Sequence, residues 1–203
     1  GPELVDEGVV GGEHLDAVEA AIRDQLGGTK VGDPRDKDSR MGALVSTGQR
    51  DDVRAQIGKL ASAGARIVAG DPDATPGIAG GAFMEPILLR SDDPWSNAAV
   101  HDVEAFGPVS TVMPYRDMAD AIALANRGMG SLALSLFTHS PDAARDFVQG
   151  AAAFHGRMLV LNRDNAAEST GHGSPLPVLV HGGPGRAGGS EEMGGVRGVK
   201  HYM

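Results

Sequence analysis

The sequence predicts an α/β fold, a three-layer domain with a mostly parallel open sheet covered by helices. Three observations carry that expectation. β-prone runs alternate with amphipathic helical stretches between residues 16 and 162. Two of those runs, Leu132–Phe137 and Arg157–Asn162, are apolar at nearly every position, the pattern of strands covered on both faces. Glycine stands where helices should stop, at Gly27–Gly28 and Gly64.

Taken in order, Asp16 to Leu26 is a helix, with Leu15, Val18, Ile22 and Leu26 in one apolar stripe. Val31 to Leu44 is polar loop chemistry containing a proline. Thr47 to Ala63 is a second helix, buried through Val53, Ile57 and Leu60, and Ala65 to Ala69 is a strand. Asp71 to Gly81 is rich in Pro and Gly and reads as a mobile loop. Ala82 to Leu89 is a strand candidate whose internal Pro86 puts it at an edge or bends it. Ser91 to Ser96 is a turn and helix start. Asp117 caps a short helix to Asn126 with Met118, Ile122 and Ala125 inward. Ser140–Pro141 opens another, to about Gly150. From Asn165 onward glycines crowd in, and a long backbone-built loop over 165–203 is expected, with an abrupt end that looks like a cut. Residues 1–15 are expected to be a tag scar and linker, and 16–203 one domain.

Composition removes several classes of function. Among 203 residues the formal charge is −9, which argues against nucleic acid or an anionic membrane as partner. No apolar run approaches a membrane span and no signal peptide opens the chain, so a cytoplasmic protein is expected. There is no cysteine, which excludes disulfides, thiolate metal sites and a cysteine nucleophile. The seven histidines lie far apart without metal-ligand spacing, and no metal site is expected.

The stretch from His101 to Tyr115 is the most informative. Glu104 stands two places before Phe106, Gly107–Pro108 makes a corner, and Val109 to Met113 is β-prone. A carboxylate beside an aromatic ring can accept from sugar hydroxyls and cover a flat ring; a plain turn feeding a core strand is the alternative. The run resembles the Glu-x-Phe-Gly-Pro-Val motif of aldehyde dehydrogenases, in which the Glu holds the nicotinamide ribose and the Phe packs near the nicotinamide. More of the chain follows in the same order: Val31–Pro34, Arg40–Leu44, Gly64–Ala65, Phe83–Pro86, then Asn162 and the glycine loop. From Asp16 to Met203 it resembles that family's C-terminal, catalytic domain. Leu159–Asp164, Glu168–Pro177, Val180–Gly189 and Glu191–Gly195 are similar to the branch that forms the dehydrogenase half of bifunctional proteins of phenylacetate degradation, with His181–Gly182–Gly183 where the ordinary tail has Pro-Phe-Gly-Gly.

The resemblance implies an oxidoreductase that turns an aliphatic, CoA-linked semialdehyde into its acid, with NADP or NAD as hydride acceptor; the corresponding enzymes of aerobic benzoate breakdown are not separated from it. It also implies a missing N-terminal dinucleotide-binding domain and a homo-oligomeric parent. The family's thiolate attacks the aldehyde, an Asn holds the oxyanion and a Glu activates water. All three precede the matched region, so only Glu104 and Phe106 carry over, as cofactor contacts, with no catalytic residue in this chain. The fragment is expected to be inactive alone. A non-catalytic binding or assembly module is the alternative, and an independent nucleotide-binding domain a weaker third.

Other signals are read as structural. Gly183 to Gly188 fits G-x-G-x-x-G but lacks the following helix and strand of a dinucleotide site. Glu191–Glu192 and Asp92–Asp93 are adjacent pairs, which do not converge on a substrate and are read as solvated surface. Ser169, His172 and Asp164 crowd one loop without a nucleophile elbow. Arg157 and Arg186 are read as surface cations, with an anionic CoA substrate as the other option.

Overall fold

The computed structural model describes residues 7–169, 171, 182–188, 196, 199, 200 and 203. His172, Glu191–Glu192, Leu176–Val180 and most of the glycine-rich tail lie outside the described residues. The chain separates between Arg116 and Asp117 into two compact units.

The first unit is a four-stranded sheet between helices. Its strands are β1 (Glu7–Gly11), β2 (Arg66–Ala69), β3 (Ile87–Arg90) and β4 (Val109–Tyr115). Its helices are α1 (Leu15–Gly27), α2 (Thr47–Ser62) and the single turn α3 (Ala99–Asp102). The strand order is β1-β4-β3-β2; β1, β4 and β3 are parallel and β2 is antiparallel to β3. Alternation of side chains gives each face its own core. On one side Ile87, Leu89, Val109 and Met113 meet Val53, Ile57 and Leu60 of α2. On the other, Leu88 and Val112 meet Leu15, with Ile22 and Leu26 of α1 packed against them. The predicted three layers and covered, mostly parallel sheet are therefore present in this unit.

Several expectations are corrected. Residues 7–11, expected as linker, form β1, because Val9 and Val10 have apolar partners on both faces of the sheet. The strand expected over 82–89 is only Ile87–Arg90, and it is interior rather than at an edge. Pro86 precedes it, so the missing proline N–H costs the ladder nothing. The loop 71–81 is fastened: Arg54 donates from Nε to Pro72 O (2.6 Å) and from Nη2 to Asp73 O and Ala74 O, and Arg50 donates to Gly81 O.

The second unit is a β-α-β arrangement with one further helix. It contains α4 (Met118–Arg127), β5 (Ser131–Phe137), α5 (Pro141–Ala151) and β6 (His155–Leu161), with β5 parallel to β6. Both predicted caps form: Asp117 Oδ1 accepts from Asp120 N and Ser140 Oγ from Ala143 N. The face of α4 differs. Asp120, Ala121 and Leu124 are buried, while Ile122 lies against Gly150 of α5. Among the described residues β5 and β6 are not covered on both faces. Leu132 and Phe137 are exposed, since the described residues give these strands a two-stranded sheet.

Candidate functional site

The segment joining α3 to β4 presents the two residues singled out in the sequence. α3 ends where Val103 turns extended, at φ −96°, ψ 114°. Val103 and Ala105 then pack against the α2-side core, and Glu104 and Phe106 between and after them are exposed. An extended chain alternates its side chains, so two inward apolar residues place the carboxylate and the ring outward. Phe106 is 72% exposed.

The backbone is held tightly behind this display. Phe106 sits at φ +52°, left-handed space that a bulky residue seldom occupies. Gln49 on α2 donates from Nε2 to Phe106 O at 2.6 Å. A Cβ at Gly107 would stand 2.7 Å from Val53 Cγ2, so only glycine permits this approach to the core. Val109 N donates to Gly107 O and Ile87 N to Pro108 O, each at 2.8 Å, which locks the corner onto β3 and β4. Gln49 had no signal in the sequence; it lies 57 positions from its partner on an exposed helical turn.

The approach to this segment is pinned from its N-terminal side. His101 is buried and its Nε2 donates to Pro94 O at 3.0 Å, tying α3 to the preceding turn. Asp93 accepts from Ser96, and that bond holds its carboxyl below the usual range. Asp92 is paired with Arg90 Nε at 2.6 Å, and the guanidinium lowers its pKa. Both carboxylates of the Asp92–Asp93 pair are exposed, as solvated surface would be, and each is held by a local bond.

The glycine motif at 183–188 does not form an anion cradle. Gly185–Ala187 is one 3-10 turn. Gly183 N donates to Gly188 O, Arg186 N to Met129 O, Ala187 N to Pro184 O and Gly188 N to Gly185 O, so these amides already have carbonyl partners. A Cβ at Gly156 would fall inside contact distance of Gly182 O, and one at Gly130 inside that of Pro184 O. The glycines serve close backbone approach to the start of β5. Nearby, Ser131 Oγ lies 2.7 Å from His155 Nδ1 and donates to Ala133 O, a polar knot within the strands. Among the described residues no group of His, Cys, Asp and Glu could hold a metal ion, and no helix is long and apolar enough to cross a membrane.

Glu104 and Phe106 fit the part of a dinucleotide that the motif's resemblance assigns them. A free carboxylate can accept from two ribose hydroxyls, and an open ring can cover a planar one.

Residues 6–202 match the aldehyde dehydrogenase family. Protein MaoC of Klebsiella aerogenes is 56% identical over 164 residues, 80% of this chain and 48% of that protein. A 3,4-dehydroadipyl-CoA semialdehyde dehydrogenase of Aromatoleum evansii is 40% identical over 171 residues, 83% of this chain and 33% of that protein. Among solved structures, a point mutant of betaine aldehyde dehydrogenase from Staphylococcus aureus in complex with NAD+ superposes with a TM-score of 0.80 at 26% identity, covering 97% of this chain and 38% of that one. An aldehyde dehydrogenase of Mycobacterium tuberculosis complexed with NAD+ superposes with a TM-score of 0.78 at 26% identity over 97% of this chain and 38% of that one. The chain therefore spans less than half the length of these relatives. With its sheet, its outward Glu104–Phe106 pair and a family match over nearly its whole length, this chain belongs to the aldehyde dehydrogenase family.

Proposed function

We propose that this chain acts as the catalytic-type domain of a longer NAD(P)-dependent dehydrogenase for an aliphatic, CoA-linked semialdehyde. The observation that carries the cofactor half is the outward Glu104 and Phe106 on a braced backbone. The substrate half is supported by the similarity to a CoA-linked semialdehyde dehydrogenase over 83% of this chain. The resemblance of the tail favours the phenylacetate-degradation branch.

In this reading Glu104 accepts hydrogen bonds from the nicotinamide ribose and fixes its position. Phe106 covers the adjacent ring and excludes water beside it. The bound dinucleotide supplies the hydride acceptor, so that aldehyde plus water yields carboxylate, reduced nicotinamide and two protons. The chain contains no cysteine, so the attacking thiolate comes from sequence outside it, as do the oxyanion Asn and the general base. The 203-residue chain is inactive by itself for that reason. NADP is favoured over NAD through the resemblance of the tail, and the parent is a homo-oligomer. The same lack of cysteine favours the second reading, a non-catalytic assembly module of the same fold.

The test is turnover by the longer reading frame. It should encode a cysteine upstream of Glu3 and reduce NADP+ with a CoA-linked semialdehyde faster than with the matching free aldehyde. Equal rates with the free aldehyde remove the CoA assignment. A frame without that cysteine, and without turnover, moves the protein to the assembly reading. Tight NADP+ binding by the 203-residue chain alone would instead support an independent nucleotide-binding domain.

A further inference from the structure

We propose that Gln49 is a positioning residue for the clamp: its bond to the Phe106 carbonyl sets the angle at which the Phe106 ring meets the nicotinamide. The inference rests on the clamp reading of Glu104 and Phe106 above.

The left-handed backbone of Phe106 needs an external restraint. Its ring is 72% exposed, so side-chain packing supplies little of that restraint. What remains is the peptide joining Phe106 to Gly107. Its oxygen accepts from Gln49 Nε2 at 2.6 Å, and its glycine lies against Val53. Gln49 and Val53 are one helical turn apart and so share a face of α2. Val53 is fully buried in the core. Gln49 is steadied at its own backbone, where its N–H donates to the cap, Ser46 Oγ, at 3.1 Å. A rigid path therefore runs from the capped start of α2 to the 106–107 peptide. Fixing that carbonyl fixes ψ of Phe106, and with it the direction of the chain on which the ring stands. Without the donor, the peptide can rotate out of the left-handed well and carry the ring off the nicotinamide face. Glu104 lies before this peptide on a segment held by Val103 and Ala105, so ribose binding should persist. A loss confined to hydride transfer is what separates this role from a direct contact with the cofactor.

The experiment uses the full-length dehydrogenase that carries this domain. Gln49→Leu removes the donor at similar size, and Gln49→Lys keeps one. In single-turnover NAD(P)H formation, Gln49→Leu should be slowed roughly tenfold, while the dissociation constant for NAD(P)+ stays within about twofold, because a small misplacement costs rate before affinity. Gln49→Lys should recover most of the loss. Phe106→Ala should be slow as well, and adding Gln49→Leu to it should change nothing further. Hydrogen exchange at amides 104–107 of the 203-residue chain should quicken in Gln49→Leu and less in Gln49→Lys. A wild-type hydride rate in Gln49→Leu, alongside a slow Phe106→Ala, overturns this inference and leaves the clamp intact. So does weakened dinucleotide binding with an unchanged rate. If Glu104→Ala and Phe106→Ala both match wild type, the clamp reading itself fails.

Discussion

At the scale of single residues, Phe106 and Gly107 show how a display site is made from backbone. A left-handed bulky residue costs on the order of 1–3 kcal/mol, and it persists only where neighbours over-determine it. Here those neighbours are Gln49, Val53 and the β3–β4 corner. Glu104 and Phe106 themselves bear little of the fold, since both are exposed. Glu104→Ala in the full-length enzyme should therefore weaken NAD(P)+ binding by roughly tenfold, the value of a charge-assisted hydrogen bond or two, without lowering the melting temperature. Titration with NAD(P)+ and a thermal scan check the two halves separately. Gly107→Ala should do the reverse. Its new methyl meets Val53, so stability should fall by about 1–3 kcal/mol in chemical denaturation as the corner is forced outward. An unchanged midpoint would show that the corner yields freely. The carboxylate–ring pair was legible from its spacing and the Gly–Pro corner. Gln49 was not, because a polar residue on an exposed helical turn looks alike whether it meets water or a carbonyl far along the chain.

At the scale of elements, caps and periodicity were readable because they are local. Asp117 and Ser140 each cap the helix that follows, as their sequence context indicates, and Ser46 caps α2 without having been singled out. Asp117→Ala or Ser140→Ala should each cost about 1 kcal/mol, and the Asn variants much less, measured by urea denaturation. Full stability in the alanine variants would mean the caps are replaced by water. The inward face of α2 matched its apolar stripe, whereas α4 turned Ala121 and Leu124 inward instead of Met118 and Ala125. In α4 small apolar residues surround the helix, so several stripes are equally apolar and packing chooses among them. Pro86 in the sequence suggests an edge or a bend, but a proline just outside a strand carries no such meaning. The glycine turn at 183–188 makes a firmer demand. Gly156→Ala would place a methyl against Gly182 O, so the turn must leave the start of β5. Faster hydrogen exchange over 182–188 and at Ser131 is the expected outcome.

At the scale of the molecule, Arg90 gathers charges from distant parts of the first unit. Its guanidinium reaches Asp16 at 2.5 Å and Glu19 at 2.9 Å on α1, and Asp92 after β3, while Arg66 of β2 also reaches Asp92. Bonds from these carboxylates raise the Arg90 pKa, and Asp92 is lowered in return. A carboxyl with a depressed folded pKa adds stability above its unfolded value, near 3.9, and that contribution is lost as pH falls through the folded value. Asp92 is more than half exposed, so screening limits its share to less than about 1 kcal/mol. Asp33, paired with Arg35 and lowered to about 2, titrates in the same acid window. Denaturation midpoints should thus be level from neutral pH to about 5 and fall below about 4, with a shallower fall in Asp92→Asn. An identical acid profile in that variant would remove Asp92 from the account.

What the sequence by itself determined was local or repetitive: the alternation of helix and strand, the caps, the glycine stops, the absence of any thiol and the outward pair before the Gly–Pro corner. These follow from backbone propensity and side-chain periodicity within one or two turns of chain. Only the tertiary structure decided that residues 7–11 join the sheet, that β2 runs antiparallel to β3, that β3 is interior, and that an amide on α2 grips the carbonyl behind Phe106. Each of those depends on which distant surface lies opposite. A pairing partner 104 residues away, as between Glu7 and Thr111, leaves no periodicity in the stretch it joins.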